Sequence, residues 1–348
     1  MTPRNYVRAD LAAIKAYSPA APNCELDLSD NTNLWGTPPS VDAVIAEMTR
    51  GALARYPSSN AQAMRVALAG YIGMPVECVV AGCGSDDILD SIMRAFVQPG
   101  DAVAIPDPSF SMASVFARVS GLRPLLIPLT PAQSPDIEAM IGSGVRMLYL
   151  CTPNNPTGGV ISLADIENVL GNFNGLVIVD EAYAEFSEFT AIPLLRSYEN
   201  LIVTRTLSKA FGLAGLRIGY AVCAPLLAAE IEKTRGPYKV NAVAERVGAS
   251  VVCNDRQWVA RVVAEVRENR ERLSRELRQR GYEPLDSSAN FLLLPVKEAL
   301  TLANRLAERS IAVRAFDNLT GIGDAIRVTV GPWPMMQAML DALDGIVA

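Results

Sequence analysis

The residue with the clearest capacity for chemistry is Lys209, one of only five lysines in a chain of 348 residues. It follows an apolar, strand-like run at 200–204 and precedes a glycine-rich stretch that ends at Arg217. Ligands of α/β sheets gather at the ends of the strands, so a side chain placed there is directed into a binding region. A lysine amine in such a region can attack a carbonyl carbon and form a Schiff base.

A second constraint is the complete absence of histidine. Histidine is the commonest general base, the commonest metal ligand and a member of the Ser-His-Asp triad. Its absence argues against zinc-dependent hydrolysis and against triad chemistry. Proton transfer in an enzyme of this composition must use lysine, tyrosine, a carboxylate, cysteine or a cofactor, which again directs attention to Lys209.

Composition favours a globular protein that binds a small ligand. With 348 residues, half of them hydrophobic, the chain can bury a large core and form one large domain plus a smaller one. A net charge of -6 and a pI near 5.0 argue against a nucleic-acid partner.

Neither the start of the chain nor its cysteines indicate export or a metal site. No signal-peptide core and no apolar run of roughly 18 residues is present, so we expect a cytoplasmic protein without a membrane span. The six cysteines are scattered without a CxxC pair, so we expect neither disulfides nor a bound metal.

The elements that must position Lys209 are strands alternating with helices. Short β-rich runs occur at 78–81, 102–106, 124–127, 146–151, 176–179, 201–204 and 218–222. This alternation predicts an α/β fold, in which a large domain has a mostly parallel sheet flanked by helices. After about residue 250 a long amphipathic helix at 257–280 precedes strands at 290–294, 311–314 and 325–330. We expect an N-terminal arm at 1–30, a large domain at 31–255 and a small α+β domain at 256–348.

Asp180 ends one of these strands directly after four apolar residues. A carboxylate in this partly desolvated position needs a cation. At about 4 Å from a protonated ring nitrogen it would gain roughly 4 kcal/mol at an effective dielectric constant of 20, enough to keep a pyridinium protonated. The alternative is that Asp180 caps a helix that follows the strand.

Two turns at strand ends add polar groups. The turn at 151–159 contains two prolines and two glycines and presents the amide of Asn155, although an ordinary turn would look the same. The segment 82–87 opens a helix whose backbone NH groups and Ser85 hydroxyl can bind an anion, unless Ser85 is a plain N-cap. Arg217 can bind the same anion, unless it is a surface arginine. An amine, a pyridinium partner, an amide and a phosphate cup together are what pyridoxal phosphate requires.

At this point the chain resembles the fold-type I pyridoxal-phosphate aminotransferases, whose fold is that of aspartate aminotransferase, and within them the histidinol-phosphate aminotransferase branch. The matching runs span most of the chain in the expected order and lie at 55–57, 84–86, 152–158, 179–183, 206–220 and 326–331.

The resemblance implies a role for each cofactor residue. Lys209 would hold the cofactor as a Schiff base and move the substrate proton, Asp180 would keep the pyridine nitrogen protonated, and Asn155 and Tyr183 would bond the phenolic oxygen. Tyr56 would reach the cofactor phosphate of a neighbouring subunit, which implies a homodimer with shared sites. The remaining cofactor-binding residues implied by the resemblance are Gly84, Ser85, Asp86, Phe110 (stacking on the ring), Thr206, Ser208 and Arg217.

The substrate-binding residues implied by the resemblance are Tyr17, Asn155, Arg314 and Arg327. The two arginines suit a substrate phosphate and then the carboxylates of 2-oxoglutarate. For each arginine the alternative is a strand-surface residue, and Tyr17 as an arm tyrosine is alternatively only a packing residue.

The chain departs from the branch at two places. Where the branch reads Asn-Glu-Asn-Pro, this chain has the sequence NTNLWG at 31–36, with Thr32 and Trp35 as the departures. Because this segment covers the active-site mouth in the family, Trp35 is expected to reshape the mouth. Phe110 also lacks the hydroxyl group of the commoner tyrosine.

The implied activity is transamination between glutamate and histidinol phosphate, with imidazole-acetol phosphate as the keto partner, in histidine biosynthesis. Alternatives within the fold are an aromatic-amino-acid aminotransferase and a threonine-phosphate decarboxylase. A non-catalytic binding module of the same fold is disfavoured because Lys209, Asp180 and Asn155 are all present.

Overall fold

A computed structural model describes residues 6, 8, 11, 12, 14, 16, 24–48 and 50–347. Tyr17 lies outside these residues, so its role stays a prediction. The strands are β1 Leu26–Asp27, β2 Val79–Cys83, β3 Ala102–Asp107, β4 Arg123–Pro128, β5 Met147–Cys151, β6 Leu176–Asp180, β7 Leu201–Thr206, β8 Ile218–Cys223, β9 Phe291–Pro295, β10 Ile311–Ala312, β11 Arg314–Leu319 and β12 Gly323–Thr329. The α-helices are α1 Ser40–Glu47, α2 Arg50–Leu53, α3 Gln62–Ile72, α4 Gly84–Phe96, α5 Ser111–Val119, α6 Ile137–Ile141, α7 Leu163–Asn172, α8 Pro225–Lys233, α9 Ala242–Asn254, α10 Arg256–Gln279, α11 Ala299–Ala307 and α12 Trp333–Val347.

The main sheet has seven strands in the order β2-β8-β7-β6-β5-β3-β4. Strand β8 runs antiparallel to both of its neighbours, whereas the pairs from β7 to β4 are parallel. Helices cover both faces, since Ile178 packs in the cluster that contains α4 and α5, while Val177 and Val179 pack on the other side with α7. Strands buried on both faces are apolar throughout, which is why β5 and β6 read as continuous hydrophobic runs. The α/β prediction is confirmed.

The C-terminal part contains a second sheet of three antiparallel strands in the order β11-β12-β9. Helix α10 packs against β9 and α12, and α11 packs against β11 and β12. The predicted division into an arm, a large domain and a small domain stays a prediction. None of the helices described here is long and apolar enough to cross a membrane.

One prediction about this region was wrong in detail. The strand predicted at 311–314 is divided, because β10 ends at Ala312 and Arg314 begins β11, which pairs with a different strand. Within the predicted arm, Leu26–Asp27 forms a strand that the sequence did not predict and pairs in parallel with β10. A two-residue strand is too short to show the alternation that identifies a strand in a sequence.

Candidate active site

A cavity of about 840 Å³ lies at the carboxyl ends of β5, β6 and β7 and reaches β11 and β12. Most of the predicted site residues line it, namely Ser85, Asp86, Phe110, Asn155, Asp180, Tyr183, Thr206, Ser208, Lys209, Arg217, Arg314 and Arg327. The parallel strands explain this convergence, because their carboxyl ends meet at one edge of the sheet.

Asp180 is the buried carboxylate of the site, with 2% of its surface exposed. Its oxygens accept hydrogen bonds from the Tyr149 hydroxyl at 2.8 Å and the Thr204 hydroxyl at 3.1 Å. Burial raises the pKa of Asp180 to about 6, and these two hydrogen bonds oppose the rise. The helix-cap alternative is wrong, because the next helical turn, a 3-10 turn, begins after Tyr183.

Tyr149 and Thr204 were missed by the sequence reasoning. Tyr149 lies within the apolar strand β5 and Thr204 within β7, and neither ends its strand. Thr204 faces Asp180 directly in the register between β6 and β7. In β5 the available signal was one polar-tipped side chain in an otherwise apolar strand, whereas in β7 Thr204 is the first of three polar residues. In both strands the partner can be identified only once the register is known.

Lys209 follows β7 by three residues, and its Nζ donates to the carbonyl oxygen of Asp30 at 2.9 Å. The same Nζ lies 5.9 Å from the ring centre of Tyr183. Burial, together with the nearby positive charge of Arg327, lowers the pKa of Lys209 to about 8. This shift raises the neutral, nucleophilic fraction of the amine at pH 7 from about 1 in 3,000 to about 1 in 10.

The segment before α1 holds three of the site residues in place. Besides the Asp30 carbonyl on Lys209, the Ser29 carbonyl accepts a hydrogen bond from Nη2 of Arg327 at 2.7 Å. The Asn31 amide donates to the Tyr183 hydroxyl oxygen at 3.0 Å. Burial raises the pKa of Tyr183 to about 12, so this phenol stays protonated at neutral pH.

The two arginines lie side by side on the three-stranded sheet. Arg327 is 7% exposed, and its Nη1 donates to Oδ1 of Asn155 at 2.6 Å, so the strand-surface alternative is wrong for this residue. Arg314 is the direct cross-strand partner of Arg327 and also lines the cavity. Two guanidinium groups and the amine of Lys209 therefore line the same cavity.

The predicted phosphate cup lies at the start of α4. This helix begins at Gly84, and Ser85 lies inside its first turn, so the N-cap alternative is wrong. Instead, Oδ2 of Asp87 accepts a hydrogen bond from the Cys83 NH at 3.0 Å. Arg217 reaches the same turn, since its Nη2 lies 3.1 Å from Oδ2 of Asp86.

The geometry of this cup fits a phosphate-bearing pyridine cofactor. Gly84 has a φ of 83°, and a Cβ there would lie 2.6 Å from Nη2 of Arg217, so only glycine leaves room for the guanidinium beside the helix start. Backbone NH groups at a helix N-terminus attract phosphate, and Arg217 adds a positive charge. Asp180 lines the same cavity and is the kind of carboxylate that a protonated ring nitrogen needs. Phe110, at the start of α5, also lines this cavity.

Comparisons with known proteins identify the family. Residues 24–343 match the family described as aminotransferase class I and II. The chain belongs to this family. Histidinol-phosphate aminotransferase of Thermoanaerobacter sp. (strain X514) is 35% identical over 332 residues, with 94% of each chain covered.

Two solved structures show how closely the fold is shared. The histidinol-phosphate aminotransferase from Clostridium acetobutylicum superposes with a TM-score of 0.86 at 25% identity, covering 92% of this chain and 98% of its own. The histidinol-phosphate aminotransferase from Sinorhizobium meliloti, solved in complex with pyridoxal-5'-phosphate, gives a TM-score of 0.85 at 23% identity, covering 93% and 91%. The predicted family, fold and enzyme class are confirmed.

Two residues of this aminotransferase lie outside its own cavity. Tyr56 is 81% exposed, and its ring stacks on Tyr238 with the ring centroids 4.5 Å apart. The indole of Trp35 donates to Oε2 of Glu265 on α10 at 2.6 Å and packs against the core. Trp35 is not among the residues that line the cavity, because its bond to the part-buried Glu265 directs the side chain toward α10. The expected effect of Trp35 on the mouth stays a prediction.

Proposed function

We propose that this aminotransferase exchanges an amino group between glutamate and histidinol phosphate, with pyridoxal phosphate as cofactor. The observation that carries the proposal is the adjacent pair Arg314 and Arg327 in the same cavity as Lys209 and Asp180. Two neighbouring guanidinium groups suit a phosphate dianion, which accepts several charge-assisted hydrogen bonds. The names of the related proteins agree with this substrate.

Each residue of the cavity has a distinct task in this proposal. Pyridoxal phosphate, when bound, supplies an aldehyde carbon and an electron-accepting ring. Lys209, with its pKa lowered to about 8, offers a partly neutral amine that would hold the cofactor at that carbon and would accept or return a proton. Asp180 would hold a proton on the ring nitrogen, and Tyr183 would keep its hydroxyl proton for hydrogen bonding.

The anion site accounts for the use of two substrates. The amino donor carries a phosphate group, whereas 2-oxoglutarate carries a second carboxylate. Arg327 is fixed by Asn155 and Ser29, while the more exposed Arg314 opens onto the cavity. A fixed and a more adaptable guanidinium can together bind either anion.

The assembly is part of the same proposal. A homodimer would bring the exposed Tyr56 ring to the cofactor phosphate of the neighbouring subunit. An isologous dimer makes this contact twice, once at each active site. The cytoplasmic location expected from the sequence belongs to this proposal as well.

The decisive experiment is an amino donor panel with 2-oxoglutarate as acceptor. We expect glutamate to form with histidinol phosphate and much more slowly with phenylalanine or tyrosine. Faster turnover of the aromatic amino acids would favour the aromatic aminotransferase, and release of carbon dioxide from threonine phosphate would favour the decarboxylase.

A second measurement tests whether the chain is catalytic at all. The purified protein should show the pH-dependent visible absorbance of covalently bound pyridoxal phosphate, and Lys209→Ala should lose it. Absorbance that survives this substitution would assign the Schiff base to another lysine.

A further inference from the structure

Phe316 lies close to both arginines of the anion site and lines the cavity. Its ring centroid is 5.7 Å from Cζ of Arg327 and 6.0 Å from Cζ of Arg314. Arg327 also lies 5.3 Å from the ring of Phe291, so two rings flank this guanidinium. The Phe291 ring in turn meets the ring of Tyr183 edge to face, with centroids 5.2 Å apart.

The register of the three-stranded sheet produces this arrangement. Arg314 is opposite Arg327, and Phe316, two residues further along β11, is on the same face and opposite the small side chain of Ala325. The ring therefore has space above Ala325 and reaches the diagonal neighbour Arg327. Side chains at such diagonal positions, about 7–8 Å apart at the backbone, are in contact when one is aromatic or long.

The same logic places the second ring. Phe291 on β9 is opposite Thr329 on β12, which makes it a diagonal neighbour of Arg327 from the strand on the other edge of β12. Arg327 thus occupies the middle strand with one ring on each flank. Sequence reasoning identified the arginines but not these rings, because both contacts depend on strand register. Phe291 lies on β9, far from Arg327 in sequence, and Phe316 reaches Arg327 only through the pairing of β11 with β12.

The electrostatic consequence is specific to an anion site. Two like charges directly across a strand pair repel each other. A carboxylate placed between them would relieve the repulsion, but it would also occupy the NH groups that an incoming anion needs. The face of an aromatic ring attracts a guanidinium through its quadrupole and uses none of the NH donors.

We propose that Phe316 is a positioning residue that holds Arg314 and Arg327 together for a phosphate group. The inference rests on the proposed function, since it assumes that these arginines bind the phosphate of the amino donor. It goes further by assigning part of the phosphate affinity to an aromatic side chain that contributes no hydrogen bond to the anion.

The test compares Phe316→Leu, which removes the ring, with Phe316→Tyr, which keeps it. Binding of inorganic phosphate to the holoenzyme is measured by isothermal titration calorimetry, with the cofactor phosphate already in its own cup. We expect phosphate to bind about fivefold to tenfold more weakly to Phe316→Leu, because two cation–π contacts are lost. Phe316→Tyr should bind phosphate as the wild-type protein does.

Steady-state kinetics give an independent readout of the same variants. For Phe316→Leu we expect the KM for histidinol phosphate to rise by a similar factor while kcat changes less than about twofold, as for a residue that affects binding alone. Phe189→Leu removes an exposed ring that does not line the cavity and is the control for loss of a phenylalanine.

Two outcomes would contradict the inference. One is unchanged phosphate binding in Phe316→Leu, and the other is an equal loss in Phe316→Tyr, which would point to side-chain size instead of the ring. The proposed function is tested separately by Arg314→Gln. If that substitution leaves phosphate binding intact, the anion site itself is misassigned, whereas a loss with Arg314→Gln but not with Phe316→Leu rejects only the role of the ring.

Discussion

Asp180 shows at the scale of one residue how function and stability conflict. The carboxylate must be ionised to hold a proton on a bound ring nitrogen, yet it is almost completely buried. Burial raises its pKa from 3.8 to about 6, so that without a cation its ionised form destabilises the folded chain. Tyr149 and Thr204 reduce this cost by donating hydrogen bonds to the charged form.

The pKa of Asp180 predicts how Asp180→Asn changes stability. Because the folded pKa lies above the unfolded value, the folded state holds the extra proton between pH 3.8 and 6, and stability falls as the pH rises through this range. In the cofactor-free protein at pH 8, Asp180→Asn should therefore raise the free energy of unfolding, by about 1–3 kcal/mol for a shift of this size. Near pH 4 the two proteins should differ little.

Urea unfolding of the cofactor-free proteins at pH 4 and pH 8 measures this difference. Asp180→Asn should at the same time weaken the binding of pyridoxal phosphate, which separates the stability effect from the functional one. A variant that is less stable than the wild type at pH 8 would show that the buried, ionised carboxylate does not destabilise the folded protein.

Residue chemistry predicted the central groups of the site but not their supports. Lys209, Asp180 and Asn155 could be found because each follows an apolar strand, and strand ends of a parallel sheet converge. Tyr149 and Asn31 could not, because each acts through a contact across the fold. Their partners are set by strand register in the first case and by the path of an irregular segment in the second.

At the scale of elements, the phosphate cup depends on how closely β8 approaches the start of α4. Gly219 of β8 lies against the backbone of Gly84 and Ser85, and a Cβ at Gly219 would overlap the Ser85 nitrogen. Both neighbours are backbone, so a side chain at 219 cannot be accommodated by a rotamer change. The helix start would have to move away from the sheet.

We predict that Gly219→Ala weakens the binding of pyridoxal phosphate by about tenfold or more, because a shift of the helix start misplaces its NH groups. Equilibrium titration of the cofactor-free protein with pyridoxal phosphate measures the change. Gly215→Ala is the matched control, since Gly215 lies four residues earlier with no atom within 4 Å of a Cβ at this position. Equal affinity in the two variants would mean that the close approach does not define the cup.

The order of elements was predictable because buried parallel strands are apolar and are separated by amphipathic helices. Each of the seven strands predicted for the main sheet lies within two residues of an observed one. What failed was the pairing at the sheet of the C-terminal part. Val313 separates β10, whose Ile311 pairs with Leu26, from β11, whose Arg314 pairs with Arg327. A sequence gives no sign that two adjoining strands have partners so far apart.

At the scale of the whole molecule, Tyr56 is held in place without contacting its own cavity. Ser58 donates to Oε1 of the buried Glu245 at 2.6 Å, and the Ala63 NH donates to the same oxygen at 3.2 Å. The Tyr238 NH bonds to the carbonyl of Ser59, and the Tyr238 ring stacks on Tyr56. An exposed aromatic ring on a fixed segment suits a contact with a second copy of the chain.

If each site combines Lys209 of one chain with Tyr56 of the other, two inactive variants should restore one intact site. A heterodimer of Lys209→Ala and Tyr56→Ala has one site that carries both changes and one that carries neither. Co-expression with two different tags and sequential purification yields this heterodimer, and we expect about half of the wild-type rate from it, because one of two symmetric sites is intact. Glutamate formation from histidinol phosphate measures the recovery.

The control pairs Lys209→Ala with Arg217→Ala, two residues that line the same cavity of one chain. In that heterodimer each site contains one of the two changes, so neither site is complete and no recovery should occur. Recovery in the first pair but not in the second requires that Tyr56 act across the subunit boundary while Lys209 and Arg217 act within one chain. A Lys209→Ala and Tyr56→Ala heterodimer that stays inactive would place Tyr56 outside the partner's site and leave its stack on Tyr238 as a purely local contact.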